Sequence, residues 1–354
     1  MKKIVLTGGG TAGHVTPNIA IMPRLQEMGY EISYIGTYNG IEKKLIEELG
    51  IPYYGISSGK LRRYMSLKNL SDPIRVMKGF DESRVLLGKL KPDVIFSKGG
   101  FVTVPVVMAA AAKHIPIVIH ESDMTPGLAN KIALPRATKI CCNFPETRDM
   151  FEGGRAIVTG SPIRKELFSG DAQKAFDYCG FTQKRPTILV IGGSTGSVAV
   201  NNAVRNCLDS LLKEYNIIHI CGKDKTDSTL NGREGYVQYE YVKDQLTDMF
   251  ALADIVISRA GANAICELLA LRKPNILIPL SKRASRGDQI LNAESFEKSG
   301  YSYVIQEEDV TNASLLAAVK KVSDDKDKYI QTMEQSQIQD AVTAITDIID
   351  SVAL

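Results

Sequence analysis

The stretch Thr7-Gly8-Gly9-Gly10-Thr11-Ala12-Gly13-His14 decides how this chain is read. Lys3-Ile4-Val5-Leu6, just ahead of it, is a short apolar run with the pattern of a buried parallel strand. Thr16-Pro17, just behind it, reads as a helix N-cap followed by proline at the first helical position. A glycine loop between strand and helix presents backbone N–H groups and the positive end of a helix dipole to an anion, most often a phosphate. The missing side chains let the backbone come close to such a ligand. His14 closes the loop, either tying it to itself or placed for proton transfer.

Gly8, Gly10 and Gly13 also satisfy G-x-G-x-x-G, so a dinucleotide reading has to be tested. That reading needs an acid at the end of the second strand to hold a ribose hydroxyl. The second strand, Glu31 to Ile35, ends in Gly36-Thr37, and Glu31 stands at its wrong end. A nicotinamide dehydrogenase is therefore disfavoured.

The chain has 354 residues, enough for about two domains with sizeable cores. With 44% hydrophobic and 23% charged residues it has the balance of a globular protein. The net charge of +3, from 43 basic and 40 acidic residues, argues against bulk nucleic-acid binding. No signal peptide is expected at the N-terminus, and no run reaches the ~18 apolar residues of a membrane span. Six cysteines without a C-x-x-C pair read as free thiols, with no metal site expected.

Strand-like and helix-like segments alternate throughout, the pattern of α/β architecture with parallel sheets. Strands are expected at Tyr53–Ile56, 93–97, 117–120, 138–143 and 156–159, with an apolar helix over 104–112. Pro23 is expected to kink the first helix. Gly160 to Ser169 reads as a linker, and then the pattern restarts. Thr187–Ile191 is a strand, Gly192-Gly193-Ser194-Thr195-Gly196 a second glycine loop, and a helix follows over 199–212. Further strands are expected near 217–220, 255–257 and 276–278. Asp325-Lys326-Asp327 has the D-x-D pattern of some metal-assisted transferases but lies among lysines, and reads as a solvated turn. Apolar residues from Ala341 to Val352 recur at helical spacing, the mark of a packing helix.

In the second half, Ile255-Val256-Ile257 runs into Ser258-Arg259-Ala260-Gly261 and then Ala262-Asn263-Ala264-Ile265-Cys266-Glu267. This is another strand, tight turn and helix start, hence a second anion seat. Glu267 can accept from sugar hydroxyls, or simply complement the helix dipole. Gln289 and Asn292, three apart, share a helix face where side-chain amides could read a sugar. Arg164 in the linker could bring charge to a phosphate. Leu61, Arg62, Arg63 and Tyr64 interleave basic and apolar side chains, as an anionic membrane surface would attract, or as an ordinary loop would show.

Together these residues resemble the MurG family of bacterial glycosyltransferases, over essentially the whole chain. The resemblance is carried by Gly8 to Pro17, Ser97 to Val102 (S-K-G-G-F-V), His120 to Asp123 (H-E-S-D) and Pro126 to Lys131. It continues through Gly160 to Arg164, Gly192 to Ser194, Arg259 to Glu267 and Asp288 to Ala293. Ala12, Asp123 and Asp288 depart from the family's usual glycine, asparagine and glutamine.

The resemblance implies a GT-B fold: two Rossmann-like parallel-sheet domains with the active site in the cleft between them. It divides the chain into residues 1–160, acceptor- and membrane-facing; 161–335, binding the UDP-sugar; and a C-terminal helix over 336–354 packing back toward the first domain. It implies inverting transfer of N-acetylglucosamine from UDP-N-acetylglucosamine to polyprenyl-diphospho-MurNAc-pentapeptide. His14 would be the general base and Glu121 its rival or an orienting partner. Thr11, Ala12, Gly13, Asp123, Arg164, Ser194, Val242, Glu267, Gln289, Asn292 and the helix start Ala262, Asn263, Ala264, Ile265, Cys266 would hold the donor. Gly8, Gly9, Gly10, Gly99 and Gly100 would receive the acceptor pyrophosphate. No metal or other cofactor is expected. Expected partners are the two substrates, an anionic membrane surface on the cytoplasmic face, and cell-wall and division machinery. A related glycolipid transferase, or a non-catalytic nucleotide-sugar-binding protein, are the competing readings.

Overall fold

The computed structural model describes residues 1–59, 72–193, 195–283, 287–336 and 340–354. Leu61, Arg62, Arg63, Tyr64 and Ser194 lie outside the described residues. The chain forms two compact units, Met1–Arg164 with Asp340–Leu354, and Lys165–Gln339.

In the first unit, the described strands are β1 (Lys3–Thr7), β2 (Glu31–Thr37), β3 (Tyr53–Ile56), β4 (Val94–Ser97), β5 (Ile117–Glu121), β6 (Lys139–Cys142) and β7 (Ala156–Val158). They form one sheet in the order β3-β2-β1-β4-β5-β6-β7, and every pairing is parallel. Strand β1 is apolar along its length because both faces are covered: Ile4 and Leu6 enter one core cluster, Val5 the other.

The second unit repeats the plan with β8 (Thr187–Ile191), β9 (Asn216–Ile220), β10 (Tyr236–Tyr239), β11 (Ile255–Ser258), β12 (Asn275–Leu277) and β13 (Tyr303–Val304). Their order is β10-β9-β8-β11-β12-β13, again all parallel. In both sheets the strand order reverses beside the first strand, between β1 and β4 and between β8 and β11. Open sheets of this kind bind ligands outside the strands' carboxyl ends at that reversal.

The C-terminal helix Ala341–Val352 follows the second sheet in sequence but packs in the first unit, against the helix Thr16–Glu27. Its Ile345 and Ile349 are fully buried in one cluster with Ile21 and Leu25. Asp350 accepts from the Lys2 ammonium at 2.8 Å and the Tyr30 hydroxyl at 2.7 Å. Burial of each isoleucine contributes about 1.5–3 kcal/mol.

Several elements differ from the sequence expectation. Thr16 is the first helical residue rather than the cap: a 3-10 turn, Ala12–His14, intervenes, and the Thr16 hydroxyl donates back to the Ala12 carbonyl at 3.1 Å. The helix expected over 199–212 is two, Val198–Asn206 and Leu208–Leu211, because Cys207 donates to the carbonyl three residues back and tightens the turn. The two edge strands β10 and β13 and the helix Asp72–Leu90 were not anticipated; β13 is only two residues long and carries no periodicity to read. Asp325 joins the helices Asn312–Asp324 and Lys326–Glu334, and Asp327 lies in the first turn of the latter, so only Asp325 is a turn residue.

Candidate functional site

The β1 and β4 loops meet at the first reversal. Gly9 donates its N–H to the Gly99 carbonyl at 3.3 Å. Gly10, Gly99 and Gly100 have φ of +87°, +101° and +92°, open to glycine and strained for other residues. A Cβ on Gly100 would stand 2.2 Å from the Gly9 carbonyl oxygen, so the two loops approach this closely only as glycines.

His14 ends the 3-10 turn. Its Nδ1 lies 3.0 Å from the Gly9 carbonyl and 3.2 Å from the Thr11 hydroxyl. A carbonyl only accepts, so Nδ1 carries the proton and Nε2 is left as the basic nitrogen. Burial and the neighbouring Lys98 cation lower its pKa from 6.5 to about 4, against smaller raising effects of Gly9 and Glu42. The imidazole is therefore neutral at pH 7. Desolvation makes it a weaker base than a free imidazole and keeps it unprotonated.

Two charged groups of this loop cluster were missed by the sequence reading. Lys98, between Ser97 and Gly99, is 1% exposed and donates to the Ser122 hydroxyl. Glu42, in the helix Ile41–Glu47, is fully buried and accepts from Gly10 N–H at 3.3 Å and from the N–H and hydroxyl of Thr37 at 3.0 and 2.5 Å. So an acid does serve the end of β2, five residues beyond the strand, and the backbone occupies it. The Gly9 and Gly10 amides, expected to receive a pyrophosphate, are thus engaged within the protein: these two glycines shape the loop rather than offer it donors.

Glu121 ends β5, almost fully buried. Its Oε1 accepts from Asp123 N–H at 3.1 Å, and its Oε2 from Gly127 N–H at 3.3 Å and the Asn130 side-chain amide at 2.8 Å. Desolvation raises its pKa to about 7, with Asn130 opposing and the Asp123 charge reinforcing. The arrangement is that of a carboxylate ordering the loop 122–127. His120 beside it donates from Nε2–H to the Gly160 carbonyl at 2.8 Å, since a carbonyl only accepts.

In the second unit, the turns after β8 and β11 meet at the corresponding reversal. Ser197 caps the helix Val198–Asn206, accepting from Val200 N–H at 3.3 Å. Arg259 joins the turns: it donates to Ser197 Oγ at 2.6 Å and to the Ile278 and Pro279 carbonyls at 3.0 and 3.2 Å, and pairs with Glu307. The helix Ala262–Ala270 has Gly261 as its cap, without a capping side chain. Ala262 and Ala264 stand in the first turn, ahead of the ladder that begins when Ile265 N–H bonds the Gly261 carbonyl at 3.1 Å. Ile265 and Cys266 are buried, and the Ile265 amide belongs to the helix. Glu267 lies further along, half-buried.

Gln289 is in the first turn of the helix Asp288–Lys298, and its Oε1 accepts from Leu280 N–H at 3.0 Å. Asn292 is fully buried and donates to the Ala260 carbonyl at 3.3 Å, so it braces the β11 turn rather than reading a sugar. Its helix face turns inward, which three-residue spacing does not reveal. Val242 is buried, and Arg164 is exposed as the last residue of the first unit.

The chain matches the model of the glycosyltransferase family 28 N-terminal domain over residues 4–142 and that of its C-terminal domain over 187–350. It is 64% identical over 349 residues to a UDP-N-acetylglucosamine–N-acetylmuramyl-(pentapeptide) pyrophosphoryl-undecaprenol N-acetylglucosamine transferase of Lachnospira eligens, covering 99% of each chain. It is 63% identical to the protein of that name from Lachnoclostridium phytofermentans, covering 100% of each. Among solved structures it superposes on Acinetobacter baumannii MurG with a TM-score of 0.81 at 25% identity, covering 99% of this chain and 100% of that one.

Proposed function

The chain belongs to glycosyltransferase family 28, and from that premise we propose that it transfers N-acetylglucosamine from UDP-N-acetylglucosamine to lipid-linked MurNAc-pentapeptide, turning lipid I into lipid II in peptidoglycan synthesis. The observation that carries this reading is the 64% identity spread over 99% of both chains. Identity confined to the donor-binding half would support only a shared donor.

The reaction is a single displacement. The muramoyl 4-hydroxyl attacks the anomeric carbon, the bond to UDP breaks, and the configuration inverts. His14 takes the hydroxyl proton on Nε2, the nitrogen its Gly9 bond leaves unprotonated. Glu121 orders the loop carrying Asp123, beside the donor sugar. Gly99 and Gly100 line the seat of the acceptor diphosphate. UDP lies at the start of the helix Ala262–Ala270, with Glu267 on the ribose, Ser194 and Arg164 on the diphosphate and the Val242 backbone on uracil. Gln289 reads the sugar through Nε2, since its Oε1 is committed to Leu280. Amides and Arg164 meet the developing charge, so no resident metal is invoked.

The first unit rests on the anionic cytoplasmic leaflet that holds the acceptor. No helix among the described residues is long and apolar enough to cross a membrane. Leu61, Arg62, Arg63 and Tyr64 supply basic-apolar character in sequence, and Ile74 and Met77 are exposed on the helix Asp72–Leu90.

The test is release of UDP from UDP-N-acetylglucosamine, with and without a lipid-linked muramoyl-pentapeptide analogue, in excess chelator. Acceptor-dependent release is expected. Donor binding without release would move the reading to another acceptor or to a binding protein.

A further inference from the structure

Glu42 is a fully buried acidic side chain in the first unit. A carboxylate without exposed surface is costly to bury and persists only where donors compensate it. Glu42 has three, from Gly10 and Thr37, and stands in the first turn of its helix, where the dipole favours an acid. Backbone walls enclose it. A Cβ on Gly9 would lie 2.7 Å from its Oε1, one on Gly40 2.1 Å from it, and one on Gly36 2.9 Å from its Cγ.

The bond to Gly10 bears on the chemistry. The Gly10 N–H and the Gly9 carbonyl are opposite ends of one peptide group. Glu42 Oε2 accepts from the first at 3.3 Å, and His14 Nδ1–H donates to the second at 3.0 Å. The peptide is planar, so fixing its N–H direction fixes its carbonyl direction. A carboxylate on the N–H side also polarises the carbonyl, strengthening its hold on the imidazole. Carboxylate, peptide and imidazole thus form one line, with a peptide group where a triad would set carboxylate directly on histidine.

We propose that Glu42 is a positioning residue for the transfer proposed above, orienting His14 and fixing its tautomer through the Gly9–Gly10 peptide. The reaction rests on the family reading; the link between Glu42 and His14 stands on unit geometry alone. The charges facing His14 are Lys98, after β4, and Glu42. They act in opposite senses: Lys98 lowers the imidazole pKa and Glu42 raises it.

The experiment uses the full-length protein and Glu42→Gln, which keeps the side chain's shape but turns an NH2 group onto either Gly10 or Thr37. By NMR, the wild type at pH 7 is expected to carry the His14 proton on Nδ1 and to protect the Gly10 amide from exchange. In Glu42→Gln, Gly10 exchange is expected to accelerate at least about tenfold and the His14 ring nitrogens to shift. The acid limb of kcat/KM should move to lower pH, kcat should fall about tenfold and the donor KM should stay within about twofold. Thr37→Val removes a donor from Glu42 but keeps the Gly10 bond, and should leave the His14 signals in place.

Unchanged His14 resonances in folded Glu42→Gln, or equal changes in Thr37→Val, overturn the proposal. If Glu42→Gln does not fold, the wild type decides: a proton on Nε2, or a Gly10 amide exchanging freely, overturns it. A wild type without acceptor-dependent UDP release sinks the reaction reading instead, and the NMR observables still settle the Glu42 link.

Discussion

The Arg259 guanidinium donates to Ser197 Oγ at 2.6 Å, joining the turn after β11 to the cap of the helix after β8. Its other bonds run to the Ile278 and Pro279 carbonyls and to Glu307. One planar fork therefore holds three segments of the second unit's loops. An ammonium cannot span them, because it lacks the fork geometry. Arg259→Lys is expected to cost about 2–4 kcal/mol in chemical denaturation and to raise the donor KM more than it lowers kcat. Unchanged stability would show that the fork is redundant.

His14→Ala is expected to lower kcat by about 10²-fold or more, the range for a lost general base. The wild-type acid limb should fall near pH 4, because the base must be unprotonated and the folded imidazole takes its proton only at about 4. A kcat/KM profile with its limb at the ordinary histidine value of 6.5 would mean that another group titrates.

Glu121 makes a prediction of opposite sign. Its folded pKa of about 7 lies above the ordinary 4.5, so the folded state binds the proton more tightly than the unfolded one. The resulting stabilisation is full below pH 4.5 and is lost as pH rises through about 7. The stability of wild type minus that of Glu121→Gln should therefore decline over this window, by roughly 1–3 kcal/mol. Denaturation midpoints of both proteins at pH 4.5 and 7.5 check it; a difference that grows with pH would reverse the assignment.

Gly100 and Gly10 separate steric from conformational cost. Both have positive φ, +92° and +87°. An added Cβ on Gly100 strikes the Gly9 carbonyl at 2.2 Å, whereas one on Gly10 meets nothing within 4 Å. Gly10→Ala should cost about 1–2 kcal/mol, the left-handed penalty alone. Gly100→Ala should cost more than that, about 3 kcal/mol or above, since two backbones must part. Equal losses in thermal or denaturant unfolding would mean that the loops separate freely.

What the sequence determined by itself was local. Apolar runs such as Lys3–Leu6 and Thr187–Ile191 mark buried parallel strands because both faces of such a strand lose water, and the glycine turns behind them mark the ends where ligands bind. Those signals sit in consecutive residues, so the α/β class, the duplicated plan and the loops of His14 and Ala262 were legible without coordinates. What only the tertiary structure decided was which polar groups those loops had already consumed. Glu42 reaches Gly10 across 32 residues, Lys98 is buried with its ammonium on Ser122, and Asn292 turns inward to Ala260. The helix Ala341–Val352 likewise packs in the first unit, although it follows the second sheet in sequence. Burial and hydrogen-bond partners depend on which segments the strand order brings together, and residue spacing along the chain does not carry that order.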